Sequence, residues 1–240
     1  MVCEILQGDC ITVLKEGMKP ESVDTFYACP SPFQFYNDEN EKKIGSEVKL
    51  NDYISNIMNL VMCSHEILKP SGSFFLQIPE NFNKIGGVFG MPVIIENKLR
   101  NLGLFFLINR LFWHRIEKKP LKNYRERGFL KNYEYIFHLV KDYNEFYFNE
   151  KSKYAKTSVF SYPLEDSYYT NEFDSGLPTE LSKMVIDTTV REGVGTICDP
   201  LCGSAKVGVV AKKMNRNFIG IEIDHEIAEL AKIRLGIDNQ

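Results

Sequence analysis

Two short segments of the sequence bring polar, sulfur-containing and proline side chains together directly after a stretch that predicts a strand. One segment follows residues 23–28 and consists of Cys29, Pro30, Ser31, Pro32 and Phe33. The other follows residues 195–198 and consists of Asp199, Pro200, Leu201, Cys202, Gly203 and Ser204. Ligands of open parallel sheets bind beside such strand ends. If both strands end at the same edge of one sheet, the two segments can form one reaction site.

The second segment has the spacing of a nucleoside site. Glu222 follows Asp199 by 23 positions and lies near the end of the next predicted strand, residues 217–223. A carboxylate at that strand tip can accept both ribose hydroxyls of a nucleoside, and the small residue Gly203 lets a ligand approach the backbone. The same pattern also fits an ordinary strand–helix–strand unit in which the acid only caps a turn.

The sequence lacks the Gly-x-Gly-x-x-Gly fingerprint that serves a pyrophosphate. A dehydrogenase is therefore disfavoured. A cofactor that carries a nucleoside but no phosphate, such as S-adenosylmethionine, fits the pattern better.

The elements that must position these segments alternate along the chain. Strands are predicted at residues 2–6, 23–28, 73–78, 104–113, 133–141, 195–198 and 217–223. Helices are predicted at residues 11–16, 50–68, 92–101, 177–190, 204–214 and 225–235, and loops at 34–49 and 142–176. This alternation predicts an α/β fold with a mostly parallel sheet covered by helices on both faces. No linker, repeat or low-complexity tract divides the chain, so residues 1–240 are predicted to form a single domain.

Composition excludes several classes of protein. Hydrophobic residues make up 44% of the chain and charged residues 25%, which excludes a disordered, collagen-like or coiled-coil protein. No apolar stretch is long enough to cross a bilayer, and the N-terminus does not resemble a signal peptide. We therefore expect a cytoplasmic protein with no membrane partner. The six cysteines include no Cys-x-x-Cys pair, so free thiols and no metal site are expected.

The C-terminal segments resemble the S-adenosylmethionine-binding half of the DNA amino-methyltransferases. In that family the two motifs have the patterns DPFxGSGTT and IGIE, which resemble residues 199–207 and 219–222 of this sequence. Further matches occur at Gly8 and Asp9, at Ile44 to Glu47, at residues 67–76, at Trp113 and at residues 133–137. They follow the order of the permuted β group, with the catalytic half first. The resemblance implies a Rossmann-like methyltransferase fold.

The resemblance also implies which residues bind the cofactor. Glu222 would accept the ribose hydroxyls, Asp199 and Gly203 would lie beside the methionine moiety, and Asp9 would lie near the adenine. The remaining loop candidates are Pro200, Cys202 and Ser204. The loop departs from the family pattern at Ala205 and Lys206, where glycine and threonine are usual. Asp9 is equally suited to capping a turn.

The family's catalytic loop has the pattern Asp/Asn/Ser-Pro-Pro-aromatic, and residues 29–33 resemble it in an altered order. An exocyclic amino group is a poor nucleophile until acceptors take its N–H bonds and localise its lone pair. Prolines make the loop rigid and present carbonyls, and the aromatic ring stacks on a flipped base. We favour Ser31 and Pro32 as acceptors with Phe33 stacking. In the alternative, Cys29 occupies the serine position, although a thiol is a weak acceptor.

Two further interpretations of this loop stay open. It could be a rigid turn without catalysis, or Cys29 could be a nucleophile as in cytosine-C5 enzymes, although those carry Pro-Cys and place the cofactor loop first. The serine form usually accompanies cytosine-N4 chemistry. The resemblance thus implies a site-specific DNA methyltransferase that acts on N4 of cytosine. Adenine-N6 methylation, an RNA or other amino substrate, and a catalytically degenerate DNA-binding or partner subunit are the alternatives.

A local basic patch is the expected contact to double-stranded DNA. Residues 115–131 hold seven basic and two acidic residues in a chain of net charge −3. The predicted phosphate contacts are Lys118, Lys119, Lys122, Arg125 and Arg127. Residues 142–176 are the candidate target-recognition segment. Without the family context, the patch is an ordinary solvated loop. The resemblance also allows a cognate restriction enzyme, a homodimer and a nucleoid-associated location.

Overall fold

The computed structural model describes residues 1–36, 43–80, 89–116, 132–165 and 176–237. Strands and helices alternate through most of these ranges. The strands are β1 (Cys3–Gln7), β2 (Val23–Ala28), β3 (Leu68–Ile78), β4 (Phe106–Ile116), β5 (Tyr133–Val140), β6 (Val159–Pro163), β7 (Thr196–Asp199) and β8 (Asn217–Glu222). The helices are α1 (Cys10–Gly17), α2 (Leu50–Ile67), α3 (Met91–Leu102), α4 (Thr179–Thr189), α5 (Lys206–Lys213) and α6 (His225–Leu235).

The described strands form one sheet with the order β1-β8-β7-β2-β3-β5-β4-β6. Strands β1, β8, β7, β2 and β3 pair in parallel, while β5 runs antiparallel to both β3 and β4. From β7 the chain continues to β8 on one side, and from β2 it continues to β3 on the other. The connection order therefore reverses between β7 and β2, and a ligand crevice is expected outside their carboxyl ends. This topology confirms the predicted mostly parallel α/β fold.

Helices cover both faces of this sheet because successive strand residues point to opposite faces. Phe26 and Phe74 belong to the core on the face covered by α1, α2 and α3. The neighbouring residues Tyr27 and Phe75 belong to the core on the face covered by α4, α5 and α6. All six residues of β2 are buried, as expected for a strand covered on both faces. The central strands are thus held firmly beneath the segments that follow them.

Two sequence predictions about these elements are wrong. Residues 142–176 were expected to be loops, but β6 lies within them and pairs in parallel with β4. Strand β6 has five residues, of which Phe160 is buried, so its sequence gives a weak strand pattern. Lys69 to Gly72 were expected to separate α2 from the next strand, but β3 already begins at Leu68. Lys69 is held there by an ion pair with Asp24 at 2.8 Å, and the pairing with β2 shifts register at this point.

None of the helices in the described part of the chain is both long and apolar enough to cross a membrane.

Candidate active site

A cavity of about 400 Å³ opens at the carboxyl ends of β7 and β2, a volume within the range of small-molecule sites. The two segments singled out in the sequence share its wall, which confirms that they end at the same edge of the sheet. Its lining includes every predicted cofactor residue, namely Asp9, Asp199, Pro200, Cys202, Gly203, Ser204 and Glu222. Of the predicted catalytic segment, the residues that line it are Cys29, Pro30, Ser31 and Pro32.

Glu222 stands at the tip of β8 with its carboxylate fixed by two backbone donors. The N–H of Gly203 donates to Oε2 at 3.0 Å, and the N–H of Asp224 donates to Oε1 at 2.9 Å. Burial raises the pKa of Glu222, while these two N–H groups act to lower it. A carboxylate offers about four lone-pair sites, so each oxygen can accept one further hydrogen bond. The side chain is thus oriented for a ligand with two adjacent hydroxyls.

Asp199 lies at the tip of β7 and is buried. Its Oδ1 accepts a hydrogen bond from the N–H of Leu201 at 3.1 Å, which shapes the turn that follows the strand. Burial raises the pKa of Asp199 to about 7, with a further increase from nearby Glu222. We therefore expect this carboxyl group to change its protonation state near neutral pH. A cationic ligand beside it would favour the ionised form.

The loop after Asp199 is tied to its neighbours through several contacts. Cys202 N–H donates to the carbonyl of Ile221 at 3.0 Å, and a Cβ on Gly220 would lie 2.8 Å from Cys202 Sγ. Ser204 Oγ accepts from Arg234 Nη1 at 2.7 Å, so its hydroxyl is engaged with α6. Gly220, the glycine of the IGIE match, therefore leaves space for the loop that contains Cys202.

Both departures from the family loop lie at the start of α5. Ala205 is buried in the left-handed conformation, with φ 56°, which costs a non-glycine residue roughly 1–2 kcal/mol. Lys206 is also buried and lines the cavity, with its Nζ 4.0 Å from Glu165 Oε2. The loop keeps the backbone shape that a glycine would favour and places a cation at the cavity wall.

Cys29 begins the catalytic segment directly after β2. Burial raises the pKa of its thiol well above the usual range, and the carboxylates of Glu134 and Asp199 raise it further. At neutral pH the group is therefore a thiol. Because a thiolate is the nucleophilic form of cysteine, this environment argues against the interpretation of Cys29 as a nucleophile.

Ser31 is fixed by two tyrosines. Its Oγ lies 3.0 Å from the hydroxyl of Tyr36, and its carbonyl accepts from the hydroxyl of Tyr53 at 3.0 Å. Gly45 packs directly beneath, where a Cβ would lie 2.9 Å from Ser31 Cβ and where φ is +107°. The carbonyl of Gly45 accepts a hydrogen bond from the N–H of Phe35 at 2.9 Å. The glycine of the matched residues 44–47 therefore supports the predicted catalytic segment.

Phe33, the predicted stacking residue, does not line this cavity. Its ring packs against Tyr53 and Phe89, with centroids 5.6 and 6.4 Å apart. The chain turns after Pro32, whose carbonyl accepts from the N–H of Phe35 at 3.0 Å. This turn directs Phe33 toward the core beside α2. The aromatic residues that line the cavity from this loop are Phe35 and Tyr36.

Asp9 lines the cavity and also caps a helix. Its Oδ1 accepts from the N–H of Thr12 at 2.9 Å and from the Thr12 hydroxyl at 2.8 Å. Asp9 therefore makes the contacts of a capping residue. It also lies on the cavity wall, where it can contact a ligand.

Several polar wall residues were missed as site candidates, namely Tyr36, Lys43, Gln77, Arg115 and Glu134. Gln77 lies at the end of β3, and Glu134 at the start of the antiparallel β5 reaches the same edge. Arg115 was counted in the basic patch, but its Nη1 lies 3.4 Å from Glu134 Oε1. The signal for Glu134 was available, since it is the acid within the family match at residues 133–137.

The five predicted DNA contacts lie outside the described residues. These are Lys118, Lys119, Lys122, Arg125 and Arg127, and residues 166–175 of the candidate target-recognition segment lie outside as well. Within the described ranges, no cluster of histidine, cysteine or acidic side chains could hold a metal ion.

A doubly wound sheet with a nucleoside-type acid at the tip of β8 and a proline-rich loop at the tip of β2, both on the wall of one cavity, is typical of the Rossmann-like methyltransferases. The chain matches the N6_N4_Mtase family model, described as DNA methylase, over residues 31–233. It belongs to this family of DNA amino-methyltransferases.

Individual relatives are distant in sequence but match along nearly the whole chain. The chain is 23% identical to the type II methyltransferase M.SmaI of Serratia marcescens, over 97% of this chain and 90% of that protein. It is 24% identical to the type II methyltransferase M2.DpnII of Streptococcus pneumoniae, over 93% and 86%.

Solved structures share the fold. The cytosine-N4-specific PvuII DNA methyltransferase superposes with a TM-score of 0.83 at 16% identity, over 100% of this chain and 88% of that one. The M1.HpyAVI–SAM complex superposes with a TM-score of 0.67 at 20% identity, over 98% and 99%.

Proposed function

We propose that the protein transfers a methyl group from S-adenosylmethionine to N4 of cytosine in double-stranded DNA. One observation carries this proposal: a single cavity is lined both by the loop at Cys29 to Pro32 and by the loop at Asp199 to Ser204 with Glu222. Methyl transfer requires the donor and the acceptor nitrogen to meet in one cleft. The type II relatives extend the proposal to a role beside a cognate restriction enzyme.

The polar groups on the cavity wall match those of S-adenosylmethionine. Glu222 keeps acceptor sites for a ribose diol, Asp199 offers a carboxylate to the amino group, and Lys206 offers a cation to the carboxylate. When bound, the cofactor supplies an electrophilic methyl group on a sulfonium. The protein's contribution is to hold that group in line with the target nitrogen and to exclude water.

The catalytic loop supplies the acceptor and the stacking surface. We assign Ser31 Oγ to accept one N–H of the target amino group, and the rings of Phe35 and Tyr36 to contact a flipped base in place of Phe33. The serine in this loop and the similarity in fold to a cytosine-N4-specific enzyme favour cytosine over adenine. Adenine-N6 methylation uses the same chemistry on a larger base.

Replacing Ser31 by alanine is expected to slow methyl transfer about tenfold while leaving the affinity for S-adenosylmethionine unchanged. The acceptor acts most strongly in the transition state, as the nitrogen begins to carry charge. Single-turnover transfer of labelled methyl to DNA measures the rate, and calorimetry measures the affinity. Ser22→Ala, at the opposite end of β2, is the matched control. Loss of transfer only in Cys29→Ala would move the acceptor to Cys29.

The affinity for S-adenosylmethionine is expected to rise as the pH increases from about 5 to about 7. The pKa of Asp199 is raised to about 7, so the carboxyl is protonated below that pH and ionised above it. A ligand ammonium favours the ionised form, and each pH unit below 7 should weaken binding up to about tenfold. Calorimetric titrations across this range measure the effect. Asp199→Asn should flatten the profile, and an unchanged slope in this variant would remove Asp199 from the ligand contact.

A catalytically inactive partner subunit is a second candidate function. The left-handed, buried Ala205 favours it, because the family's usual glycine adopts this conformation without strain. Calorimetric titration with S-adenosylmethionine separates the two candidates. Binding supports the enzyme, whereas absence of binding together with retained DNA binding supports the inactive subunit.

A further inference from the structure

A network of polar side chains occupies the catalytic side of the cavity, away from Glu222. Gln77 Nε2 donates to Glu134 Oε2 at 2.7 Å, and Gln77 Oε1 accepts from the hydroxyl of Tyr27 at 2.8 Å. Arg115 Nη1 donates to Glu134 Oε1 at 3.4 Å. Tyr27 and Gln77 are almost fully buried, and the Glu134 side chain is 13% exposed. The network therefore holds one carboxylate at the cavity wall.

This carboxylate lies beside the catalytic loop. Glu134 and Cys29 line the same cavity, and after burial Glu134 is the largest influence that raises the pKa of the Cys29 thiol. The placement follows from the sheet, since β2 and β5 flank β3 and the antiparallel direction of β5 brings its first residues to the carboxyl ends of its neighbours.

The side chains of the catalytic loop offer few strong acceptors, and the carbonyl of Pro32 already accepts from the N–H of Phe35 at 3.0 Å. The first residue of the loop is Cys29, whose thiol accepts hydrogen bonds weakly. The Ser31 hydroxyl is already within 3.0 Å of the Tyr36 hydroxyl, and the Ser31 carbonyl accepts from Tyr53. A target amino group has two N–H bonds, so Ser31 can engage only one of them through its side chain.

Glu134 has the acceptor capacity that the loop lacks. Its two oxygens receive one hydrogen bond each from Gln77 and Arg115, whereas a carboxylate offers about four lone-pair sites. Hydrogen bonds to an ionised acceptor are also stronger than those to a neutral one. The amide of Gln77 can hold only one orientation, because Tyr27 occupies its oxygen and Glu134 its nitrogen.

We propose that Glu134 is a catalytic residue that accepts the second N–H of the target amino group, with Gln77 as its positioning residue. This assignment rests on the proposed function. The nitrogen bonds to the methyl carbon as the carbon–sulfur bond breaks, and the electron pair of that bond stays on sulfur. One N–H proton then passes to the carboxylate and on to water, which leaves a neutral methylated amine.

The test compares Glu134→Gln with wild type in single-turnover methyl transfer to DNA. The variant keeps the size of the side chain and removes its charge, so transfer should slow by about a hundredfold. Affinities for S-adenosylmethionine and for DNA should stay within about threefold of wild type. Gln77→Leu should show a smaller loss in the same rate. Glu180→Gln is the control for net charge, because Glu180 contacts Tyr154 and Lys183 and does not line the cavity.

Each outcome decides the assignment. Transfer by Glu134→Gln within threefold of wild type would overturn the assignment and leave the proposed function standing. A loss of transfer matched by an equal loss of cofactor or DNA affinity would make Glu134 structural and would also overturn it. If Glu134→Gln does not fold, Glu134→Asp must retain transfer well above Glu134→Ala. Wild-type protein without methyl transfer would instead overturn the proposed function itself.

Discussion

Replacing Glu222 by alanine is expected to weaken the binding of S-adenosylmethionine by about a hundredfold or more. The carboxylate is oriented by the N–H groups of Gly203 and Asp224 and can still accept two ribose hydroxyls. Hydrogen bonds to a charged acceptor contribute about 1.5–3 kcal/mol each, so losing two raises Kd by about two orders of magnitude or more. Isothermal titration calorimetry measures this change.

The matched control is Glu226→Ala, which removes the same charge from the first turn of α6. Its side chain lies outside the cavity lining, so its Kd should equal that of wild type. Glu222→Gln should fall between the two, because the amide keeps one acceptor oxygen. An unchanged Kd in Glu222→Ala would remove this residue from the cofactor site.

Reversing the charges of Lys118 and Lys119 to glutamate is expected to weaken DNA binding for every sequence tested. If both contact phosphates, the slope of log K against log salt should become shallower by about 0.9 for each lost contact. Fluorescence anisotropy with unrelated duplexes, repeated over a range of salt concentrations, measures both the affinity and the slope.

A double reversal of Lys15 and Lys98, exposed on α1 and α3, changes the net charge by the same amount. It should leave the salt slope at the wild-type value. If the reversal of Lys118 and Lys119 also leaves the slope unchanged, residues 115–131 are a solvated loop rather than a DNA contact.

The sequence predicted the parallel part of the fold well because its strands and helices carry strong local signals. The bounds of β2 and α6 agree with the prediction, and the acids at Asp199 and Glu222 lie at the strand tips where a nucleoside site was expected. Strand β6 was missed because its five residues lie among aromatic and polar residues, and only its pairing with β4 defines it.

The part of the cavity around residues 29–33 was harder to predict because it depends on contacts between distant residues. The direction of Phe33 is set by a turn that hydrogen-bonds to Gly45, which local spacing does not show. Glu134 reaches the cavity only because β5 pairs antiparallel with β3, the strand that carries Gln77. The side chain of Gln77 donates a hydrogen bond to Glu134 there. The family match pointed to the segment that contains Glu134, but only the sheet register places its carboxylate near Cys29.

The identity of the methylated nucleoside tests the central claim most directly. Purified protein is incubated with methyl-labelled S-adenosylmethionine and unmethylated DNA, and the DNA is digested to nucleosides for mass spectrometry. We predict label in N4-methyl-2′-deoxycytidine, which disappears in the Glu222→Ala variant. Label in N6-methyl-2′-deoxyadenosine alone, or no labelled nucleoside from protein that binds both DNA and cofactor, would contradict that claim.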